Sequence, residues 1–209
     1  MSFFWITDFI LSFSCFTVFL KLIQQPNSHA KLAAVSVLLL SIASLIGTLK
    51  FAFNLQGSWP DLHNMMSRVF GVTGLYILAA AWLDFAGIIR VKLPRCWAHV
   101  ADGLLIFLLA NWLDLLANFQ LVIGIVMNIF AFITAYFLLR KNRVREAFIV
   151  VIAASVFIVN GLVIGGAASP LFGSILRMDV FHLLFSAWVL TLSWSFRQPV
   201  LPSKIQSLQ

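Results

Sequence analysis

The stretch 121–139, LVIGIVMNIFAFITAYFLL, holds no charged residue and is closed by the basic cluster Arg140, Lys141, Arg143 and Arg145. Beyond that cluster, residues 147–166 are again free of charge. In lipid, backbone polar groups must be satisfied internally, which leaves helices or closed barrels. Barrel strands alternate in polarity over segments of about ten residues. These runs are continuous, and at about 1.5 Å per residue they are long enough to cross about 30 Å of hydrocarbon. They read as two transmembrane helices joined by a basic loop.

The whole chain agrees. Hydrophobic residues make up 62% of its 209 residues, charged residues 10%, and the mean hydropathy is +1.01. Soluble domains carry about 25% charged residues, and a small globule cannot hide this much apolar surface from water. The net charge of +7 sits in short clusters between apolar runs. That is the pattern of the positive-inside rule rather than of a nucleic-acid surface. Cys15 and Cys96 show no metal-ligand spacing and fall toward the cytoplasmic side, where thiols stay reduced.

Seven spans are expected, at residues 3–23, 32–54, 65–89, 97–115, 119–139, 147–167 and 177–196. Parity demands the fourth, because the basic loops around Arg90–Arg95 and Arg140–Arg145 must lie on one side. A tight turn near Asn118 then joins spans four and five. Apart from Lys50, Arg68 and Arg177, all 14 Lys and Arg residues fall on that side. The fold class is an all-α polytopic bundle of seven transmembrane helices, N-terminus outside and C-terminus cytoplasmic. Residues 1–197 form the domain and 198–209 a short tail. The first span lacks a basic n-region and a cleavage site and reads as a retained helix. Trp5, Trp59 and Trp112 mark the outer interface, Trp97 and Trp194 the inner one. Gly161 with Gly165, and Ala43 with Gly47, suggest close helix packing.

Ionisable residues at membrane depth cost a few kcal/mol, roughly 2.5–3.5 at a helix centre, and need partners or a cavity. Asp8, Lys50, Asp179 and His182 fall in one layer, the outer third of the bilayer. Arg68, Arg177 and Asp114 lie near its outer edge. Polar stripes repeat at helical spacing: Asp8–Ser12–Cys15, Gly47–Lys50–Asn54, Asn111–Asp114–Asn118, Gln120–Gly124–Asn128 and Asp179–His182–Ser186. All five are expected to face one interior. Asp84, His99 and Asp102 form a second, inner group that reads as interfacial pairing.

Thr7-Asp8, Gly47-Thr48-x-Lys50 and Asp179-x-x-His182 resemble the pattern of an uncharacterised family of bacterial seven-helix membrane proteins. In that family a histidine is usual where Lys50 stands. More distantly, the layout is similar to the membrane hydrolase superfamily of alkaline ceramidases and progestin/adipoQ receptors. That resemblance implies zinc held by three histidines, two of them as His-x-x-x-His in the last helix. Here the last span has His182, with Ser186 in the second place, so zinc is poorly supplied with ligands. A retinal lysine is missing from the last span. A bis-histidine haem would have to pair His182 with His63, which falls in the loop before span three.

The expected function is binding of a lipid-like or small amphiphilic ligand, with membrane lipids as partners. Asp8, Lys50, Arg68, Asp114 and Asn128 would contact the ligand. Asp179 and His182 would be the catalytic pair, Asp179 orienting the imidazole, if the protein is a lipid amide or ester hydrolase. No metal site is assigned. A proton-coupled or small-molecule transporter and an accessory subunit of a membrane complex stay open as alternatives, as does a homo-oligomer. The location is a bacterial-type inner membrane.

Overall fold

The computed structural model describes residues 4–165, 169–172 and 175–196. Seven helices follow one another within them. They are α1 (Phe4–Ile23), α2 (Ser28–Ala52), α3 (Trp59–Ala86), α4 (Cys96–Trp112), α5 (Leu116–Arg140), α6 (Val144–Ile164) and α7 (Arg177–Ser195). Between α6 and α7, β1 (Pro170–Phe172) and β2 (Ile175–Leu176) pair antiparallel. The helices α1 to α6 are long and apolar enough to cross a membrane, and α7 runs for 19 residues. The result is a helical membrane bundle.

Six helices close a ring: α1 packs on α2 and α7, α7 on α6, α6 on α5, α5 on α3, and α3 on α2. The fourth helix lies outside it, against the middle of α3. Burial separates the two roles: 83% of the apolar window of α3 is buried, against 22% for the span ending at Trp112. Of α4, only Gly103 and Ala110 are buried. Its apolar side chains, such as Leu105 and Leu108, are exposed, as they must be to meet lipid.

Aromatic side chains fill the centre. Phe181, Phe185 and Trp188 recur at helical spacing along α7 and contact one another, with Phe157 of α6 5.1 Å from Trp188. Phe196 closes the end of the bundle beside the C-terminus of α7, 4.4 Å from Trp82. Midway along their length, α1 and α2 are tied by a reciprocal pair: Ser12 Oγ donates to the Ser41 carbonyl and Ser41 Oγ to the Ser12 carbonyl, both at 3.1 Å.

Three local expectations need correction. The third helix begins at Trp59, well before residue 65, because Pro60 sits in its first turn and Asp61 favours its positive end. The turn between α4 and α5 is at residues 113–115, with Asp114 in a left-handed conformation at φ 55°, and Asn118 already belongs to α5. Gly161 and Gly165 are not a packing pair. Nothing lies within 4 Å of a Cβ built at Gly161, and Gly165 ends α6 at φ 65°.

Candidate functional site

The N-terminal ends of α1, α3 and α7 and the C-terminal end of α2 meet around the carboxyl group of Asp8. Asp8 is 1% exposed and Asp179 7%. Asp8 Oδ1 lies 3.4 Å from His182 Nδ1. Thr7, next to Asp8, places its hydroxyl 3.2 Å from Asp179 Oδ1 and 3.4 Å from the same imidazole nitrogen. An ionised carboxylate only accepts hydrogen bonds, so it pairs with the His182 tautomer that carries its proton on Nδ1 and leaves Nε2 free. Asp179 and His182 sit one turn apart on α7, and Asp8 and Thr7 are neighbours on α1. Two short helical segments therefore supply the acid, the base and the hydroxyl between them.

The other oxygen, Asp8 Oδ2, is buried and has no hydrogen-bond partner among the described residues. It lies against Gly47 of α2. A Cβ at position 47 would fall 2.6 Å from Asp8 Oδ2 and 2.9 Å from His63 Nε2. A glycine is therefore required for the carboxylate and the second imidazole to approach the α2 backbone together. Lys50, half-buried one turn further along α2, lies within electrostatic reach of Asp8 and His63, its ammonium 4.5 Å from the centre of the Phe51 ring.

His63 belongs to this cluster although the sequence reading set it in a loop. The signal for it was the helix start Ser58-Trp59-Pro60-Asp61, which carries the helix far enough outward for position 63 to face Gly47. The carboxylate in contact with His182 is that of Asp8, with Asp179 one link further away through Thr7.

Other candidates lie elsewhere. Arg68 is exposed and, with Asp61, Asn64 and Asn111, lines a separate hollow of about 240 Å³. Asp114 is exposed in the α4–α5 turn. Asn128 faces a different cavity. The five polar stripes thus sort into three places. At the opposite end of the bundle, Asp84 accepts hydrogen bonds from Ser28 Oγ and the Val91 N–H, with His29 3.6 Å away. It fastens the start of α2 to the loop after α3. Arg177 donates to the Ile164 carbonyl at 3.3 Å and so caps the end of α6.

Among the described residues, no group of three or more His, Cys, Asp and Glu side chains is arranged to hold a metal ion. The donor set does not fit the three-histidine zinc site that the resemblance implies. His182 meets the Asp8 carboxyl, while His63 lies on the other side of it against Gly47.

No curated protein and no solved structure gives a significant match to the chain. Residues 3–199 match a family of unknown function, DUF6962, and the chain belongs to that family.

Proposed function

We propose that the Asp8–His182 cluster is the working centre of a seven-crossing inner-membrane protein whose N-terminus lies outside and C-terminus in the cytoplasm. In this reading it binds a lipid-like or small amphiphilic molecule from the outer side and directs an acid–base pair at an ester or amide bond in it. The observation that carries the proposal is the division of labour within one buried carboxyl group. Oδ1 meets the imidazole, while Oδ2 stands unpartnered beside a glycine notch and a second imidazole. Unpaired ionisable groups at membrane depth are costly, which is why they mark sites.

The chemistry is balanced within the chain's own residues. His182 Nε2 takes a proton from a water molecule as its oxygen bonds to the carbonyl carbon. The Asp8 carboxylate holds the Nδ1–H and stabilises the imidazolium. The cationic Lys50 is near enough to offset charge on the carbonyl oxygen or on an anionic headgroup. Collapse breaks the carbon–oxygen or carbon–nitrogen bond, and the imidazolium returns its proton to the leaving group.

A proton relay through the bundle is less well supported. Below the cluster the interior is filled by Cys15, Val18, Val37, Leu40 and Val189, all buried. That apolar plug separates the outer site from Asp84 and His29.

Asp8→Asn and His182→Gln test the proposal in purified protein presented with ester- and amide-linked lipids in mixed micelles. Each should lower turnover roughly 100-fold, and the double variant should lose little more than either single one. Mass spectrometry of retained lipids reports on binding alongside. Unchanged lipid retention, with no turnover by any of these proteins, would overturn the reading.

A further inference from the structure

A slot of about 580 Å³ lies apart from the polar cluster, among α3, α5, α6 and α7, and Phe181, whose ring touches that of His182, forms part of its wall. The lining is apolar, with Phe70, Leu75, Ile125 and Phe157 among its side chains, and no Lys or Arg of the described residues takes part. Leu121, Ile125, Ile129 and Leu162 line the slot and are exposed on the bundle surface, so it opens toward lipid. Two π-helical turns, Phe70–Gly74 in α3 and Asn160–Ile164 in α6, border it and contribute Gly71 and Gly161 to its lining. Such turns concentrate at functional sites because the extra residue breaks the regular ladder.

Two side-chain amides interrupt this apolar lining, the exposed Gln120 beside Gly71 and the buried Asn128. Asn128, midway along α5, is 8% exposed, and its Nδ2 donates to the Gly124 carbonyl at 2.8 Å. That carbonyl only accepts, so the orientation of the amide is settled. The Asn128 Oδ1 is buried with no hydrogen-bond partner among the described residues. In the middle of a bilayer no water stands ready to satisfy it, and an orphaned acceptor there is costly.

We infer that the slot binds a single-chain neutral lipid carrying a hydrogen-bond donor. Its chain lies along the apolar walls and its hydroxyl or N–H donates to Asn128 Oδ1. An ionised carboxylate or phosphate is disfavoured at Asn128, because Oδ1 offers a lone pair rather than a proton and the lining has no Lys or Arg among the described residues to compensate, Gln120 supplying only a neutral amide at its exposed edge. Entry is from the membrane, between α5 and α6. The inference stands on this cavity alone and does not rest on chemistry at Asp8 and His182.

Photoactivatable tetradecanol and tetradecanoate, reconstituted with the full chain in phosphatidylcholine vesicles at alkaline pH, provide the test. The label is mapped by peptide mass spectrometry. Tetradecanol should label residues 121–132 and 157–165 and be competed by unlabelled tetradecanol but not by tetradecanoate. Asn128→Leu, which keeps the shape and removes the acceptor, should weaken labelling by roughly five- to tenfold. Gly161→Leu and Gly161→Phe should block the slot in graded fashion, since the open space at that position admits a side chain without striking the backbone. Elution and melting profiles show that each variant is folded, and the smaller substitution carries the test where the larger fails. Equal labelling by alcohol and carboxylate, insensitive to Asn128→Leu, would overturn the donor assignment. Labelling unaffected by either Gly161 substitution would overturn the site itself.

Discussion

The carboxyl group of Asp8 occupies the space that any side chain at position 47 would need. A Cβ there would lie 2.6 Å from Asp8 Oδ2, and Asp8 has no room to retreat because it is buried and held against His182. The glycine is thus part of the site, although it has no functional group.

Gly47→Ala should therefore push the carboxylate away from His182 rather than simply loosen the bundle. The expected stability loss is about 1–3 kcal/mol, the usual range for overpacking, together with loss of the acid–base function. Thermal melting in detergent and turnover measured on the same sample separate the two effects. A variant with wild-type turnover would show that Asp8 need not stand where it does.

Thr7 links Asp179 to His182, with its hydroxyl 3.2 Å from the carboxylate and 3.4 Å from the imidazole. Thr7→Val keeps the volume and removes the link. Turnover should fall roughly 10- to 100-fold through misplacement of the ring, while the Asp8 contact persists. Nitrogen chemical shifts of His182 check this: the Nδ1–H tautomer should remain, with its exchange accelerated. A shift to the other tautomer would contradict the assignment of Asp8 as the acceptor.

The reciprocal hydroxyl-to-carbonyl pair between Ser12 and Ser41 should couple α1 to α2. Interhelical polar contacts in membranes average about 0.6 kcal/mol in double-mutant cycles. Ser12→Ala, Ser41→Ala and the double variant, unfolded in mixed micelles, should give a coupling energy of that order. Strict additivity would mean that the two hydroxyls do not act together.

Asp84 serves the fold rather than the site. Asp84→Ala leaves Ser28 Oγ and the Val91 N–H without their acceptor, which should cost about 1–3 kcal/mol. Lipid labelling and turnover per folded molecule should not change. A selective loss of turnover would tie that end of the bundle to the Asp8 cluster after all.

Much of this was legible in the chain. Long uncharged runs, basic loops and interfacial tryptophans are local statements about solvent, and they mark a helical membrane bundle without any knowledge of packing. The stripes of α1 and α7 were legible for the same reason. Helical spacing alone puts Asp8 with Ser12 and Cys15, and Asp179 with Ser186, on single faces, and all five are buried. His63 was lost because hydropathy sets the start of a helix where apolar residues begin, whereas its backbone begins at the Pro60 and Asp61 start signal.

What the tertiary structure alone decided is which faces meet. Asn111 of α4 lines a hollow beside Arg68 and the stripe of α5 faces a separate slot, while those of α1, α2 and α7 converge on Asp8. Periodicity tells which residues share a face but not which neighbour that face meets. That choice depends on contacts between helices far apart in the chain, such as Thr7 with Asp179, and on small residues like Gly47 that let two backbones close in. The need to satisfy every polar group in lipid made the residues conspicuous; packing determined their partners.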